Sequence, residues 1–183
     1  LLVRVGALYH DIGKLKQPKY FSENQIAPDS PHDSLTPKQS AKIIIDHVLD
    51  GILIAQKNKL PDRVIDFIRT HHGTSSVYYF YKKQLEFDPE GTNIEDFQYP
   101  GPRPFSKETA ILMMADAVEA ASKSLKAPDI GQLDLFIEKI ISGKMEEGQF
   151  NASNITLAEI ETVKKVLLRK LINVYQLRIE YPE

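Results

Sequence analysis

The stretch YHDIGKL, residues 9–15, places a histidine, an aspartate and a lysine where an apolar segment ends. Apolar residues lead into it at helical spacing: Leu1, Leu2, Val5, Leu8 and Ile12. Gly13 favours a change of direction, because glycine adopts the backbone conformations that end a helix. We therefore predict that a first helix carries His10 and Asp11 and ends near Gly13, and that Lys14 lies about one turn further on.

The same helical periodicity recurs along the rest of the chain. Thr36 is a predicted N-cap with Pro37 in the first turn, and Asp50-Gly51 indicates a break or a kink in the helix that follows. Further helices are predicted over residues 60–72, 75–87, 107–125, 129–145 and 154–179. Aromatic and β-branched residues are frequent in the second of these, so a strand stays an alternative there.

Two stretches between the predicted helices are irregular. Residues 17–36, with three prolines, form a long loop after the histidine–aspartate pair, and loops of this length are often functional. Residues 88–105 hold four prolines and two glycines and form a proline-rich excursion. No alternating strand pattern stands out, so we predict an all-α helical bundle that forms one domain over residues 1–183.

Composition limits the classes of function. Of 183 residues, 42% are apolar and 26% are charged, which allows a sizeable core. The absence of cysteine excludes disulfides, a thiolate nucleophile and a thiolate metal site. The net charge is −2 and no basic stripe occurs, so no nucleic-acid polymer is expected as a partner. The longest apolar run, AILMMA at residues 110–115, is too short to span a bilayer.

Histidines and one aspartate form the most unusual pattern in the chain. His47 lies on a predicted helix, His71 and His72 end another, and Asp116 interrupts the apolar run of a third. Each has an ordinary explanation alone: a satisfied core histidine, a polar helix end, or a carboxylate paired with a lysine. A binuclear metal centre formed with the histidine–aspartate pair would explain all of them together. Imidazole and carboxylate ligands suit iron, manganese or zinc.

A centre of this kind has a defined chemistry. Two metal ions about 4 Å apart can share a bridging hydroxide, which attacks at neutral pH while the ions neutralise charge on a phosphoryl group. Asp11 is the expected bridge, because a carboxylate can join two ions and a single imidazole nitrogen cannot. Lys14 is expected to bind a phosphate oxygen as a point charge, with a solvated surface lysine as the alternative.

The ordered set resembles the pattern of the HD-domain metal-dependent phosphohydrolase superfamily: His10-Asp11, His47, His71-His72 and Asp116. An HD dipeptide alone is weak evidence for this superfamily. The full series of histidines and aspartates, in this order and on predicted helices, is specific, and the resemblance covers nearly the whole chain. YHDIGKLKQPKYFSENQ, PHDSLTPKQSAKIIIDHVLDG and THHGTSSVYYFYKK are similar to the cytoplasmic domain of seven-transmembrane-receptor HD proteins. Gly73-Thr74-Ser75 stands where relatives that hydrolyse cyclic di-GMP have Gly-Tyr-Pro.

This resemblance implies a fold, an activity and a ligand set. The fold is an all-α HD-domain bundle, and the activity is hydrolysis of cyclic di-AMP to the linear dinucleotide pApA with two divalent transition metals, iron or manganese. One ion would be held by His10, Asp11 and Asp116, and the other by Asp11, His47, His71 and His72. Asp11 and Lys14 would be the catalytic residues, and Lys14 would also bind the substrate.

The resemblance also implies a membrane-anchored parent protein with this domain in the cytoplasm. The sequence begins with Leu1 as if within a helix, which fits a fragment of such a protein. The superfamily supplies one more histidine from a helix upstream of the HD pair, and no histidine precedes His10 here. The first ion is therefore expected to be under-coordinated, completed by water, or lost in this chain.

Two other functions stay open from the sequence. The chain could be an HD phosphohydrolase acting on another nucleotide or a nucleic-acid end, or a catalytically silent nucleotide-sensing domain. The aromatic run at residues 78–81 could offer a platform for adenine, although we expect at least two of its members in the core. Lys16 and Lys19 could attract an anionic substrate, and His32 is assigned to the long loop. The sequence does not indicate an oligomeric state.

Overall fold

The structure is a computed structural model that describes residues 1–24 and 30–175. These residues form seven α-helices, which confirms the all-α prediction. The helices are α1 Leu2–Tyr9, α2 Pro37–Lys57, α3 Asp62–Thr70, α4 Tyr78–Phe87, α5 Lys107–Ser122, α6 Ile130–Glu146 and α7 Leu157–Val174. The chain divides into two compact units, Leu1–Arg103 and Pro104–Glu183, and the single domain over 1–183 stays a prediction. None of the described helices is both long and apolar enough to cross a membrane.

Side-chain caps fix where two of the predicted helices begin. The hydroxyl of Thr36 accepts a hydrogen bond from the Gln39 amide at 3.2 Å, and the Gln39 side chain accepts one from the Thr36 amide at 3.0 Å. Pro37 occupies the first turn of α2, where its missing N–H removes no helical hydrogen bond. Ser106 and Thr109 form the same reciprocal pair at the start of α5. The cap predicted at Thr36 is therefore confirmed, and Ser106 caps α5 in the same way.

The first unit is built around α2, which packs on α3 and on a 3-10 turn at Ile12–Lys16. Backbones meet where α2 crosses this turn. A β-carbon on Gly13 would overlap the carbonyl oxygen of His47 and lie 2.5 Å from the Gly51 amide nitrogen. The two glycines therefore let the turn that follows Asp11 approach α2 more closely than any side chain would permit.

The sequence predicts a break or a kink at Asp50-Gly51, and the break is wrong, since α2 continues without interruption from Pro37 to Lys57. Gly51 is buried, and a β-carbon on it would lie only 2.8 Å from a side-chain carbon of Ile68 on α3. Close packing on both sides explains why glycine occupies this position. These tertiary contacts offset the roughly 1 kcal/mol by which glycine disfavours a helix interior.

The two predicted irregular stretches contain short 3-10 turns: Pro18–Tyr20, Ser22–Asn24, Pro31–Ser34 and Ile94–Phe97. Residues 25–29 of the long loop lie outside the described residues. Phe21 of that loop is buried, and so are Phe97 and Tyr99 of the proline-rich excursion. In their described parts both stretches therefore contribute apolar side chains to the first unit, and the long loop also brings Phe21 onto His47.

The second unit packs α5, α6 and α7 around an apolar core. On α7 the apolar spacing predicts a buried stripe that includes Ile160, Val166, Leu171 and Val174. Ile160 and Leu171 are buried, whereas Val166 and Val174 are exposed. Val166 is six residues beyond Ile160, about 240° around the helix, so it leaves the buried face. The last part of the predicted helix, residues 176–179, lies outside the described residues.

Candidate metal centre

Asp11 lies where three elements of the first unit converge. It lies two residues after the end of α1, while His47 comes from the middle of α2, and His71 and His72 follow the last residue of α3. One ligand atom from each of these four residues lies within 4.8 Å of every other. The Nε2 atoms of His47 and His71 lie 3.3 and 3.6 Å from Asp11 Oδ1. The structure thus brings together the four residues predicted to hold one of the two ions.

His10 completes this arrangement from the end of α1. Its Nε2 lies 3.2 Å from Asp11 Oδ2, the carboxylate oxygen that does not face His47 and His71. The ring of His10 also meets the ring of His71 edge to face, with the centroids 5.0 Å apart. Each oxygen of the carboxylate therefore has imidazole nitrogens beside it, as a bridging ligand would require.

Three of the imidazoles are oriented by the backbone of their own helices. In each, Nδ1 lies at hydrogen-bond distance from the carbonyl oxygen three residues earlier: Ala7 for His10 at 2.9 Å, Ile44 for His47, and Ile68 for His71 at 2.8 Å. A carbonyl oxygen only accepts, so Nδ1 must carry the proton. In the neutral ring Nε2 is then the lone-pair atom, and it faces Asp11. This is the arrangement that metal-binding histidines use.

The donor set fits a divalent cation. The Nε2 atoms of His47 and His71 are only 3.2 Å apart, and two lone pairs at this distance repel unless a cation or a proton lies between them. Asp11 Oδ1 is buried, and no group in the described residues donates a hydrogen bond to it. A buried carboxylate oxygen in this state is costly without a cation. Imidazole and carboxylate together suit iron, manganese or zinc.

The pKa values of this cluster favour metal-binding protonation states. Burial would raise the pKa of Asp11, but the imidazoles of His10, His47 and His71 outweigh burial when their Nε2 atoms carry protons, and they then hold the pKa well below its usual range. Burial, reinforced by the charges that His71 and His47 can carry, keeps the pKa of His72 well below its usual range. A charged carboxylate and a neutral imidazole are the forms that bind metal ions.

Lys14 is held beside the cluster by two carboxylates. Its Nζ lies 2.8 Å from Asp11 Oδ2 and 2.5 Å from Glu23 Oε1, and only 22% of its side chain is exposed. Burial would lower the pKa of Lys14, but Asp11 and Glu23 raise it above its usual value. The alternative of a solvated surface lysine is therefore wrong. Glu23 belongs to the long loop, and its part in this ion pair carried no signal in the sequence.

Two aromatic residues that the sequence analysis did not single out support the histidines. Tyr99 stacks on His72 with ring centroids 4.2 Å apart and an angle of 24° between the planes. Phe21 meets the ring of His47 edge to face at 5.6 Å. Both come from irregular stretches, where no helical spacing marks a buried position. Only the structure could therefore assign them to the cluster.

The remaining candidates of the sequence analysis are His32, the aromatic run and Asp116. His32 contacts Tyr20, with its Nε2 2.9 Å from the carbonyl oxygen of that residue, and its ring packs on Phe80. Of the aromatic run, Phe80 and Tyr81 are half-buried, while Tyr78 and Tyr79 are 61% and 62% exposed, so none of the four is a fully buried core residue. Asp116 lies half-buried on α5 in the second unit, and its role as a ligand stays a prediction.

The fold and the cluster define a helical domain in which histidines and an aspartate are gathered as a candidate metal site. The chain belongs to the HD domain family, whose family model matches residues 1–121. It is 45% identical to the cyclic-di-AMP phosphodiesterase PgpH of Bacillus subtilis and 43% identical to PgpH of Listeria monocytogenes, in each case over 100% of this chain. It spans about a quarter of these relatives, 26% and 25% of their lengths.

The solved structures agree with this family. The crystal structure of the L. monocytogenes phosphodiesterase PgpH HD domain in complex with cyclic-di-AMP matches with a TM-score of 0.91 and 43% identity. The match covers 98% of this chain and 83% of that one. A second crystal structure of that HD domain matches with a TM-score of 0.87 over 95% of this chain and 81% of that one, at 41% identity.

Proposed function

We propose that this chain is a metal-dependent phosphodiesterase that hydrolyses cyclic di-AMP to pApA. The observation that carries the proposal is the cluster in which Asp11, His47, His71 and His72 place ligand atoms within 4.8 Å of one another. Membership of the HD domain family supports hydrolysis of a phosphate ester as the type of reaction. Similarity to phosphodiesterases named for cyclic-di-AMP, one of them solved with it, supports the choice of substrate.

In this proposal each residue of the cluster binds a metal ion or the substrate. His47, His71 and His72 bind one ion with Asp11, and His10 and Asp116 bind a second that Asp11 also contacts. Two divalent ions, iron or manganese, would supply an activated water as nucleophile and neutralise charge on the phosphorus oxygens. Lys14, already held beside Asp11 at 2.8 Å, would bind a phosphate oxygen of the substrate and help to orient it.

Further parts of the proposal concern the whole protein. The resemblance to seven-transmembrane-receptor HD proteins suggests a membrane-anchored parent with this domain in the cytoplasm. The relatives that the chain matches are about four times its length, which is compatible with such a parent. The substrate, a cyclic dinucleotide, is then the partner that this domain would meet in solution.

The direct test is an assay of the purified chain loaded with manganese or iron. Cyclic di-AMP is offered beside cyclic di-GMP, pppGpp and deoxynucleoside triphosphates, and products are separated by chromatography. We expect pApA from cyclic di-AMP at the highest rate. Asp11→Asn keeps the shape of the side chain and removes its charge, so it should abolish hydrolysis and lower the metal content. The matched control is Asp134→Asn on the exposed face of α6, which should change neither.

The outcomes separate the possible functions. If the metal-loaded chain hydrolyses none of these compounds, the proposed enzymatic activity is refuted. Binding of cyclic di-AMP without hydrolysis would indicate a sensor. Faster hydrolysis of another nucleotide would refute only the choice of cyclic di-AMP as the substrate. An Asp11→Asn variant that kept its metal and its rate would refute the site.

A further inference from the structure

The first part of the long loop is fixed against the candidate metal centre by a buried ring. Phe21 is 5% exposed, and its ring meets the ring of His47 edge to face with the centroids 5.6 Å apart. The Asn24 amide donates a hydrogen bond to the Phe21 carbonyl oxygen at 2.9 Å, which closes a 3-10 turn around Glu23. Glu23 therefore extends from a turn whose start is buried beside a predicted metal ligand.

A second contact joins the two described parts of this loop. The Nε2 atom of His32 lies 2.9 Å from the carbonyl oxygen of Tyr20, and because a carbonyl oxygen only accepts, Nε2 donates. The His32 ring also contacts the rings of Tyr20 and Phe80, with the centroids 5.2 and 4.9 Å away. Tyr20 immediately precedes Phe21, so this contact holds the same segment from the far end of the loop.

The carboxylate of Glu23 is paired with the ammonium of Lys14. Lys14 Nζ lies 2.5 Å from Glu23 Oε1 and 2.8 Å from Asp11 Oδ2. It also lies 5.1 Å from the centroid of the Phe21 ring, a distance at which a cation and an aromatic face attract each other. The loop thus supplies a carboxylate and an aromatic ring to an ammonium that also contacts Asp11.

The two carboxylates differ in what metal binding would do to them. Asp11 belongs to the group of ligand atoms that lie within 4.8 Å of one another, and in the described part of the chain Glu23 does not. A cation bound to Asp11 would draw on its charge and repel the nearby ammonium. Lysine has a flexible four-carbon stem, so a repelled ammonium can turn away. The ion pair with Glu23 does not compete with a metal ion and therefore keeps Lys14 in place.

We propose that Glu23 is a positioning residue, which keeps the ammonium of Lys14 where it binds a phosphate oxygen of the substrate. This inference rests on the proposed function, in which Lys14 binds that oxygen. Glu23 acts through Lys14 and not on the phosphate, because a carboxylate and a phosphate repel each other. An ammonium that is held in advance loses less conformational freedom when the substrate binds, which favours both binding and reaction.

A double-mutant cycle tests whether Glu23 acts through Lys14. With manganese bound, hydrolysis of cyclic di-AMP is measured for the wild type, Glu23→Gln, Lys14→Met and the double variant. Glu23→Gln keeps the shape of the side chain and removes its charge, so kcat/KM should fall about tenfold, as expected for a misplaced binding group. In the Lys14→Met chain the same change should have less than about a twofold effect. A merely structural role of Glu23 would lower the rate equally in both chains.

Two further variants define the role of the charge. Glu23→Asp keeps the charge on a shorter side chain and should recover part of the loss, to within about threefold of the wild-type kcat/KM. Glu90→Gln is the matched control, because Glu90 is an exposed glutamate of the proline-rich excursion, and it should behave like the wild type. Circular dichroism of each variant checks that the helices are intact.

Binding and metal content give readouts that do not depend on hydrolysis. Calorimetry measures the Kd of the manganese-loaded chains for a phosphorothioate analogue of cyclic di-AMP, which is hydrolysed slowly. The Kd should rise about threefold in Glu23→Gln and should be the same in Lys14→Met as in the double variant. Metal analysis should find the wild-type manganese content in Glu23→Gln, because Glu23 is not a ligand in this proposal. A lower content would place Glu23 among the ligands and overturn the inference.

The outcomes keep this inference distinct from the proposed function. If the wild type cleaves cyclic di-AMP and Glu23→Gln lowers the rate as much with Lys14→Met as without it, the inference fails and the proposed function stands. A wild-type rate in Glu23→Gln has the same meaning. If no cleavage occurs but the Kd depends on Glu23 only when Lys14 is present, the proposed function fails and the inference stands. If the wild type neither cleaves cyclic di-AMP nor binds the analogue, both are overturned.

Discussion

The carboxylate of Asp11 is charged, largely buried and shared among several neighbours. One oxygen contacts Lys14 at 2.8 Å and His10 at 3.2 Å, while the other receives no hydrogen bond from the described residues. Such an arrangement is costly unless a further cation compensates the buried charge. The energetics of this single residue therefore argue for metal binding independently of the sequence pattern.

Asp116 gives a prediction about metal stoichiometry. If it binds the ion that His10 also binds, Asp116→Asn should lower the manganese content by about one ion per chain and leave the other ion bound. The reason is that the second ion takes its ligands from Asp11 and three histidines. Metal analysis after gel filtration measures this. An unchanged metal content would remove Asp116 from the ligand set.

The sequence predicted the histidines of the cluster better than the residues that pack against the cluster. His47, His71 and His72 could be found because polar residues on apolar helices stand out against a 3.6-residue pattern. Tyr99 and Glu23 could not, because each lies in an irregular stretch where neighbours along the chain say nothing about neighbours in space. Both residues are held at the cluster by tertiary contacts: Tyr99 stacks on the ring of His72, and Glu23 forms an ion pair with Lys14.

At the level of elements, the glycine contact between α2 and the turn after Asp11 can be tested with a matched pair of substitutions. Gly13→Ala should destabilise the chain by about 1–3 kcal/mol or more, because its β-carbon would overlap backbone of α2. Gly143→Ala on α6 meets nothing within 4 Å and should stabilise the chain by about 0.5–1 kcal/mol. Urea unfolding measures both. Equal effects at the two positions would contradict the close contact.

The stability that Glu159 gives to the start of α7 should depend on pH. The ion pair with Lys107 and hydrogen bonds from Thr156 lower the pKa of Glu159 from 4.5 to about 2. A lowered pKa stabilises the folded chain above pH 4.5, and this contribution is lost as the pH falls toward 2. The difference in Tm between the wild type and Glu159→Gln should therefore shrink between these pH values. A difference that stays constant with pH would show that the charge of Glu159 does not stabilise α7.

Helix starts were more predictable than helix interiors. Thr36 and Ser106 are local signals, since each cap is completed by a residue three positions later in the same chain segment. Gly51 shows the opposite case: a local rule indicates a break, yet α2 continues because Gly13 packs against it from 38 residues away in sequence. No short segment of the sequence includes both glycines, so a local pattern cannot predict that contact.

For the molecule as a whole, metal should act as a stabilising ligand. Manganese that binds the folded chain alone raises its stability by about 2.7 kcal/mol at a concentration of 100 times the Kd. The Tm should rise on adding manganese and return on adding EDTA. Asp11→Asn should lose most of this rise, while Asp134→Asn should keep it. A rise of equal size in Asp11→Asn would show that the metal binds elsewhere.

The all-α class followed from periodicity throughout the chain, but the division into units did not. The boundary after Arg103 falls inside the proline-rich excursion, which the composition marked as one irregular segment. Its first part is fixed to the segment after the histidine pair by hydrogen bonds between backbones, and backbone pairing of this kind leaves no trace in residue type. The extent of the units therefore required coordinates.

The contact between Gly13 and Gly51 has a consequence for how this domain can diverge. At this contact one main chain touches another, so the approach of the turn after Asp11 to the helix that carries His47 has no side chain between them. A larger residue at either glycine during evolution, or in a designed variant, would therefore push these two groups apart. Two residues without side chains thus act as a fixed reference for the geometry of the cluster.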